Sequence, residues 1–216
     1  MAALPLAEVP GEGTTGPHVN LRPLPRRFYA RDSIDLARDL LGRLLVREAG
    51  AVRVVGRIVE AEAYRPDDPA SHSFRGPTRR NASMFGGAGR AYVYISYGMH
   101  HCMNVTAGGG AAVLLRALEP VEGMEEMARR RGVADVRLLC SGPGRLCQAL
   151  GISLADDGTD LVTRGALWLA AGTPTGEVAV STRIGITTAV EQPWRFTEVG
   201  SRFVSRPVSP SSRRRS

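Results

Sequence analysis

The nine residues from 56 to 64, Gly-Arg-Ile-Val-Glu-Ala-Glu-Ala-Tyr, constrain the fold more than any other stretch of the chain. They are β-compatible, with two carboxylates in the middle and an aromatic ring at the end. Because the side chains of an extended strand alternate between two faces, Ile58, Glu60, Glu62 and Tyr64 are expected to share one face. The small apolar residues between them suit packing on a core. The acidic face then becomes available to a bound molecule.

The same stretch also fits an edge strand whose acidic face is solvated, since charged side chains are mostly exposed. A positively charged residue elsewhere in the chain helps to choose between a ligand-binding face and a solvated edge strand. Arg116 stands alone inside the apolar run 111–118, where a buried charge needs a partner. Glu62 is a natural partner for it, either in a structural ion pair or in an active site. Asn104, which is flanked by apolar residues, is a similar candidate for a buried polar side chain.

The charge balance indicates an anionic partner. The formal net charge is +7, and all 28 basic residues are arginine. Arginine suits bidentate contacts to phosphate, so a polyanion is expected to bind. A coding bias explains the choice of arginine over lysine but not the positive sum. Without lysine, no side-chain amine can form a Schiff base.

The length of 216 residues predicts one domain with two tails. Residues 1–25 hold five prolines without periodicity and indicate a flexible leader. Residues 26–205 form the predicted domain, and residues 206–216 a disordered basic tail. No apolar run is long enough to cross a membrane, so no membrane association is expected. Three cysteines without repeating spacing predict no disulfide framework.

Helices and strands are both predicted within the domain. The pattern favours helices over 32–41, 119–131 and 141–150. It favours strands over 44–46, 52–64, 111–118, 167–170 and 178–186, and a closing strand from residue 193.

Residues 65–89 are polar, turn-rich and too long for a simple connector, which indicates a functional loop. The loop carries His72 and an arginine cluster, defined here as Arg75, Arg79 and Arg80. The two β-rich halves of 91–107 meet near Tyr97, which predicts a hairpin with a tyrosine at its tip. Exposed rings beside arginines suit stacking on bases, and a projecting ring suits wedging into a minor groove.

A metal site is the alternative that the histidines and cysteines suggest. His100, His101 and Cys102 are adjacent, and Cys140 and Cys147 are possible further ligands. The spacing matches no zinc pattern, and neighbouring residues of a strand point to opposite faces. We therefore expect no metal and no other cofactor.

Several short blocks, taken in order, resemble a known family. They are Val-Glu-Ala-Glu-Ala-Tyr at 59–64, His72, Arg-Asn at 80–81, Met-Phe at 84–85, Tyr-Val-Tyr-Ile-Ser-Tyr-Gly-Met at 92–99, Cys-Met-Asn at 102–104, Leu-Leu-Arg-Ala-Leu-Glu-Pro at 114–120 and Cys-Ser-Gly-Pro at 140–143. Together they closely resemble the alkyladenine DNA glycosylase family, the 3-methyladenine DNA glycosylases of the mammalian type, from about Leu36 to Phe203. The segment between Tyr64 and His72 is one residue shorter than in that family.

The resemblance implies a role for each matching residue. Glu62 resembles the general base that activates water, and Arg116 with the main chain of Ile184 resembles the group that positions it. Tyr97 resembles a tyrosine that intercalates into DNA. The base pocket is implied to be formed by side chains that stack on the extruded base, namely Tyr64, His72 and Tyr94, and by Asn104, which would exclude normal guanine.

The expected fold class is mixed α/β (α+β), a single domain with a curved, largely antiparallel sheet, surrounding helices and a protruding hairpin. The expected function is that of a monofunctional, monomeric DNA glycosylase, which removes alkylated or deaminated purines from double-stranded DNA and leaves an abasic site. Its location would be cytoplasmic in a bacterium and nuclear in a eukaryote. A non-catalytic lesion binder and a metal-dependent hydrolase are the two alternative functions.

Overall fold

The computed structural model describes residues 21–207. Most of the predicted leader and most of the predicted basic tail lie outside the described residues. The end of the leader segment contacts the domain, since Leu24 is buried and its amide donates to the carbonyl of Leu169 at 3.0 Å. Arg206, the first residue of the predicted tail, accepts a hydrogen bond from Arg195 through its carbonyl oxygen.

One antiparallel sheet of eight strands forms the framework of residues 21–207. Six strands run in the order β3-β4-β5-β2-β1-β6, and β8 pairs with both β2 and β7. The sheet curls into a half-barrel, which confirms the predicted mixed α/β fold with a curved, largely antiparallel sheet. The strands are β1 (Leu44–Ala49), β2 (Val52–Tyr64), β3 (Ala91–Ser96), β4 (His100–Gly108), β5 (Ala111–Glu122), β6 (Leu167–Ala170), β7 (Val178–Ser181) and β8 (Arg195–Glu198).

The acidic strand lies at the centre of the sheet. Strand β2 pairs with β5 on one side, and with β1 and β8 on the other. The edge-strand interpretation is therefore wrong, and Glu60 and Glu62 are both fully buried. Register shifts between β2 and β5 around residues 58–61 interrupt the predicted alternation. As a result Ile58 joins the main core with Ala61, while Val59 packs in a separate cluster against Phe203.

Helices pack on the sheet or close its ends. They are α1 (Arg26–Tyr29), α2 (Ser33–Leu40), α3 (Met124–Arg131), α4 (Val136–Leu139) and α5 (Pro143–Leu150), with two short 3-10 segments at Ala82–Phe85 and Leu154–Asp156. Helix α2 begins where the sequence predicts, because the side chain of Asp32 caps it by accepting from the amide of Ile34 at 2.8 Å. Leu36 and Leu40 of α2 are completely buried in the core. None of the helices among residues 21–207 is long and apolar enough to cross a membrane.

Two predicted boundaries are wrong by five residues each. The helix expected over 119–131 begins only at Met124, because β5 continues to Glu122 with Leu118 and Pro120 buried on alternate positions. The strand expected over 178–186 ends at Ser181. Beyond it the backbone leaves the sheet, and the amide of Ile184 donates to Glu62 rather than to a strand partner.

Candidate active site

A pocket of about 580 Å³ opens beside the end of β2. Its lining contains seven of the eight residues that the sequence analysis assigned to the site: Tyr64, His72, Tyr94, Tyr97, Asn104, Arg116 and Ile184. The eighth residue, Glu62, lies directly behind this lining and is hydrogen-bonded to Tyr64, Arg116 and Ile184. The structure thus brings all eight residues together from separate segments of the chain.

Glu62 is held by three donors. Its Oε1 atom accepts from the Ile184 amide at 2.8 Å, and its Oε2 atom accepts from the Tyr64 hydroxyl at 3.0 Å. Nη1 of Arg116 also donates to Oε2, at 3.2 Å. The carboxylate therefore has a fixed orientation behind the pocket wall.

Glu60, two residues earlier on β2, belongs to the same charge network. It accepts at Oε1 from Nε of Arg116 at 2.9 Å, from Nε of Arg195 at 2.8 Å and from the Ser205 hydroxyl at 2.7 Å. The amide of Ser205 donates to Oε2. Arg116 consequently bridges the two buried carboxylates, with Nε on Glu60 and Nη1 on Glu62.

The two carboxylates differ in the position of their donors. All three donors to Glu62 belong to residues that line the pocket, namely Tyr64, Arg116 and Ile184. Of the four hydrogen bonds to Glu60, one comes from Arg116 and the other three come from Arg195 and Ser205, which do not line the pocket. Since each oxygen of an ionised carboxylate offers about two acceptor positions and Oε1 of Glu62 receives one bond, Glu62 retains an acceptor position directly behind the pocket lining.

Burial raises the pKa of the Glu62 carboxyl above its ordinary value, and the nearby Glu60 acts in the same direction. Arg116, the Ile184 amide and the Tyr64 hydroxyl oppose this effect by stabilising the ionised form. A buried carboxyl of raised pKa at the wall of a pocket is a typical general base. Burial also raises the pKa of Tyr64, so its hydroxyl remains a donor to Glu62 at neutral pH.

Aromatic side chains form one wall of the pocket. The rings of His72 and Tyr94 meet edge to face with 4.5 Å between centroids, and Tyr92 stacks on Tyr94 at 5.6 Å. Nδ1 of His72 is 2.8 Å from the Tyr92 hydroxyl, and Nδ2 of Asn81 donates to the His72 carbonyl at 2.8 Å. Desolvation of its ring lowers the pKa of His72, which favours the neutral imidazole. The shorter segment before His72 therefore still places this ring in the wall.

Asn104 lines the pocket from β4. It is almost completely buried, and its Nδ2 atom donates to the Tyr92 carbonyl at 3.2 Å. This bond restricts the orientation of the Asn104 side chain. The buried polar side chain that the sequence predicted at this position is confirmed.

Tyr97 occupies the tip of the hairpin between β3 and β4, where its side chain is 84% exposed. The Met99 amide donates to the Ser96 carbonyl and closes the turn. Tyr97 and Gly98 both have positive φ, 49° and 72°. That conformation is natural for glycine and unfavourable for a bulky residue, so the turn holds an exposed ring at an energetic cost.

The arginine cluster lies beside the pocket. A groove shares His72, Tyr92 and Tyr94 with the pocket and is bordered by Arg75, Arg79 and Arg80. All three arginines are exposed, and none forms an ion pair with another residue of the described range 21–207. They are therefore available to an anionic partner.

The residues considered for a metal site do not converge. His100 is exposed at the start of β4, whereas Cys102, Cys140 and Cys147 are buried with free thiols. Within residues 21–207 no group of three or more histidine, cysteine, aspartate or glutamate side chains is arranged to hold a metal ion.

Four residues of the site escaped the sequence analysis: Arg195, Ser205, Arg183 and Asp68. Arg195 carries the signal that identified Arg116, a charge between apolar residues of a short strand. Arg183 follows a strand and is a charge that proves to be buried. Ser205 and Asp68 lie outside the helices and strands and offer no comparable signal.

Comparison with known proteins gives a consistent family match. Residues 27–202 match the family model described as methylpurine-DNA glycosylase. The relative from Agrobacterium fabrum is 49% identical over 88% of this chain and 96% of its own length. The relative from Rhodopseudomonas palustris is 50% identical over 92% of this chain and 95% of its own length. The relative from Methanoculleus marisnigri is 51% identical over 85% of this chain and 98% of its own length. All three bear the name "Putative 3-methyladenine DNA glycosylase".

Proposed function

The chain belongs to the methylpurine-DNA glycosylase family, and we propose that it excises damaged purines from duplex DNA through a water molecule activated by Glu62. As a DNA glycosylase of this family, it is a hydrolase that acts on N-glycosyl bonds and serves DNA repair. The proposal concerns the substrate and the mechanism: alkylated or deaminated purines are extruded from the helix, and an abasic site is left.

The observation that carries the proposal is the difference between the two buried carboxylates. Glu62 has a raised pKa, an open acceptor position on Oε1 and donors that all line the pocket, whereas three of the four hydrogen bonds to Glu60 come from Arg195 and Ser205, outside that lining. A water molecule that donates to Oε1 of Glu62 would lie near the Ile184 amide and Arg116. Glu62 would accept a proton from that water while the water oxygen attacks C1′ of the sugar.

Cleavage of an N-glycosidic bond passes through a transition state with oxocarbenium-like charge on the sugar. An ionised Glu62 stabilises that positive charge and accepts the proton from water. A cationic alkylated purine is a good leaving group without assistance, whereas a neutral purine such as hypoxanthine needs a proton or a hydrogen bond as it departs. A covalent imine with a side-chain amine is excluded because the chain contains no lysine, which supports a monofunctional reaction.

The pocket has the shape and chemistry to take a base that has left the helix. Its volume of about 580 Å³ is sufficient for a purine, and Tyr64, His72 and Tyr94 provide rings for stacking. Tyr64 also donates to Glu62, so the wall of the pocket and the general base are coupled. Asn104 would oppose the exocyclic amine of normal guanine at the bottom of the pocket.

DNA binding is supported by the surface around the pocket opening. Extrusion of a base leaves a gap in the helix, and the exposed ring of Tyr97 at the hairpin tip can fill it. The arginine cluster can neutralise phosphates next to the lesion. Each catalytic residue comes from one chain, so we propose that the enzyme acts as a monomer.

The direct experiment is single-turnover excision from a duplex oligonucleotide that holds one hypoxanthine, with strand cleavage developed by alkali. Wild type is expected to release the base and to leave a site that breaks only after alkali treatment. Glu62→Gln is expected to bind the duplex without releasing the base. A duplex treated with a methylating agent serves as the second substrate, because its cationic bases need less assistance. Binding without excision of either substrate by wild type would contradict the proposal and favour a lesion binder.

A further inference from the structure

A second buried ion pair lies beneath the pocket, outside the network of Glu60 and Glu62. It joins Arg183 to Asp68, and both side chains are fully buried. Nη1 of Arg183 donates to Oδ2 of Asp68, and Nη2 donates to Oδ1 at 3.1 Å. Neither residue has a part in the mechanism described above.

The pair ties together three segments that meet at the pocket. Arg183 donates to the carbonyl of Ala63 in β2 at 3.1 Å, and to the carbonyl of Ala189 in the loop before β8 at 3.3 Å. Asp68 belongs to the segment that leads to His72, and its Oδ1 atom accepts from the Ala70 amide at 3.0 Å. Removal of the pair would therefore free more than one side of the site.

Arg183 also contacts the aromatic wall. Its guanidinium lies 4.6 Å from the centroid of the Tyr64 ring and 5.0 Å from that of Trp194. A guanidinium over an aromatic ring attracts the face of that ring and restricts its orientation. The hydroxyl of the same Tyr64 ring donates to Glu62.

The next residue along the chain supplies the second connection. Ile184 follows Arg183 directly, its amide donates to Glu62, and its carbonyl lies 3.4 Å from Nη1 of Arg116. Since residues 182–194 contain no strand, the position of the Ile184 amide depends on contacts of this kind. The hydrogen bonds of Arg183 therefore anchor the chain at the residue that immediately precedes Ile184.

A role limited to stability explains this arrangement less well. Two fully buried charges carry a large desolvation cost, and such pairs often stabilise a fold no more than apolar residues would. Nε of Arg183 is in addition buried without a hydrogen-bond partner among the described residues. The pair is therefore costly, while its contacts converge on two of the three groups that orient Glu62, the Tyr64 ring and the Ile184 amide.

We propose that Arg183 and Asp68 are positioning residues, which hold the Tyr64 ring and the Ile184 amide in the geometry that Glu62 requires. The importance of this geometry for excision rests on the proposed function. The contacts themselves do not, so the proposal also has a test that is independent of enzymatic activity.

The informative variant is the double substitution Arg183→Met with Asp68→Asn. It removes one positive and one negative charge together, so the direct electrostatic effects on Glu62 largely cancel. The charged and titratable groups that face Glu62 remain: Arg116 on β5, Glu60 and Tyr64 on β2, and Tyr94 on β3. A matched control is Arg47→Met with Asp156→Asn, which removes a mostly buried ion pair that lies outside the pocket lining.

The first readout is an NMR titration of the Glu62 carboxyl in protein labelled with 13C-glutamate, assigned by comparison with Glu62→Gln. In the double variant Glu62 is expected to titrate at higher pH than in wild type, because its ionised form is left without a well-placed amide donor. The control variant is expected to titrate as wild type does. This readout needs no substrate, so it decides the proposal even if no base is released.

The second readout is the single-turnover excision rate, measured beside duplex affinity and thermal unfolding. The rate of the double variant is expected to fall about tenfold or more at unchanged affinity, since misplacement of a catalytic group by about 1 Å is costly. Arg183→Lys retains the charge without the bidentate geometry, and an intermediate result is expected for it. It also replaces the double variant if that protein does not fold.

An unchanged Glu62 titration together with an unchanged rate, in a variant of lower thermal stability, would overturn the proposal and leave the pair a purely structural one. If wild type released no base but the titration shifted as expected, the proposed function would fail and the positioning role would stand.

Discussion

Two regions of the site contrast sharply: the floor, defined as Glu60, Glu62, Arg116 and Arg195, and the rim, defined as Tyr97, Arg75, Arg79 and Arg80. Every charge of the floor is buried and paired within the domain. The charged and aromatic groups of the rim are exposed, and the arginines have no ionic partner in the described range. The charges of the floor are thus neutralised within the protein, whereas the arginines of the rim remain available to an anion.

The contrast indicates that the floor is suited to chemistry and the rim to binding. A preorganised charge network can stabilise a transition state without rearrangement, because its dipoles are already fixed. Exposed cations and aromatic rings contribute free energy only when a nucleic acid is bound, through contacts with its phosphates and bases. Substitutions in the floor should therefore change the rate of chemistry or the stability of the fold, and substitutions in the rim should change binding.

The largest effect is expected within the floor itself. Glu62→Gln should lower the single-turnover excision rate by about 10³, within the range found for loss of a general base, at nearly unchanged duplex affinity. Glu60→Gln is the matched control, because it alters an equally buried carboxylate two residues away. It should instead lower the free energy of unfolding by about 3 kcal/mol, since Arg116 and Arg195 lose their shared anion. If both variants lost the same factor in excision rate and had the same free energy of unfolding, the proposed difference between Glu62 and Glu60 would be contradicted.

The second effect concerns pH. In the proposed mechanism Glu62 acts in its ionised form, and burial raises the pKa of Glu62, so the excision rate should rise with pH through a value above that of an exposed glutamate. Below that pKa the rate should fall about tenfold per pH unit, whereas duplex affinity should vary much less. Single-turnover rates and affinities across an acidic to neutral pH series test this. A rate that stays flat down to the ordinary range of glutamate would contradict it.

A smaller effect is expected at the tip of the rim. Tyr97→Ala should weaken binding to a lesion duplex by about 1–3 kcal/mol, the range found for loss of an aromatic ring stacked on a base. Tyr97→Asn should weaken binding similarly but raise the unfolding temperature slightly, because asparagine tolerates the positive φ better than tyrosine does. Fluorescence anisotropy and thermal unfolding measure the two quantities. Unchanged binding by both variants would remove Tyr97 from the DNA interface.

The smallest effect at moderate salt concerns the arginine cluster. Substitution of Arg75, Arg79 and Arg80 by glutamine should reduce the slope of log affinity against log salt by about 0.9 for each phosphate that is no longer neutralised. The matched control is Arg27→Gln, an exposed arginine outside both pocket and groove. Titrations of duplex binding between low and physiological salt provide the slopes. A change in excision rate at saturating enzyme, without a change in slope, would assign these arginines to the floor instead.

The sequence alone predicts much of this arrangement. Alternation along 56–64 predicts the strand, and a single charge in an apolar run predicts the partnership of Arg116 with Glu62, which the structure confirms at 3.2 Å. The Tyr97 hairpin is also predicted from a local pattern, since a glycine follows the ring and strands flank it. These features depend on residues close together in the chain.

The features that the sequence does not predict depend on distant segments. The register shift in β2 arises from pairing with β5 and reverses the faces of Ile58 and Val59. The roles of Arg195 and Ser205 depend on contacts with Glu60 across more than half of the chain. The loop at 182–186 was predicted as a strand because its β propensity is local, whereas the carboxylate that attracts its amide is remote.

The contact between Glu60 and Ser205 has a consequence for biosynthesis. A ribosome that has made the first 194 residues has produced both carboxylates of the floor and Arg116, but neither Arg195 nor Ser205. Glu60 then lacks three of its four donors, so the nascent chain cannot bury this carboxylate as the finished protein does. Nearly the whole described domain must therefore be translated before the enzyme can form its active site and hydrolyse the bonds between bases and DNA.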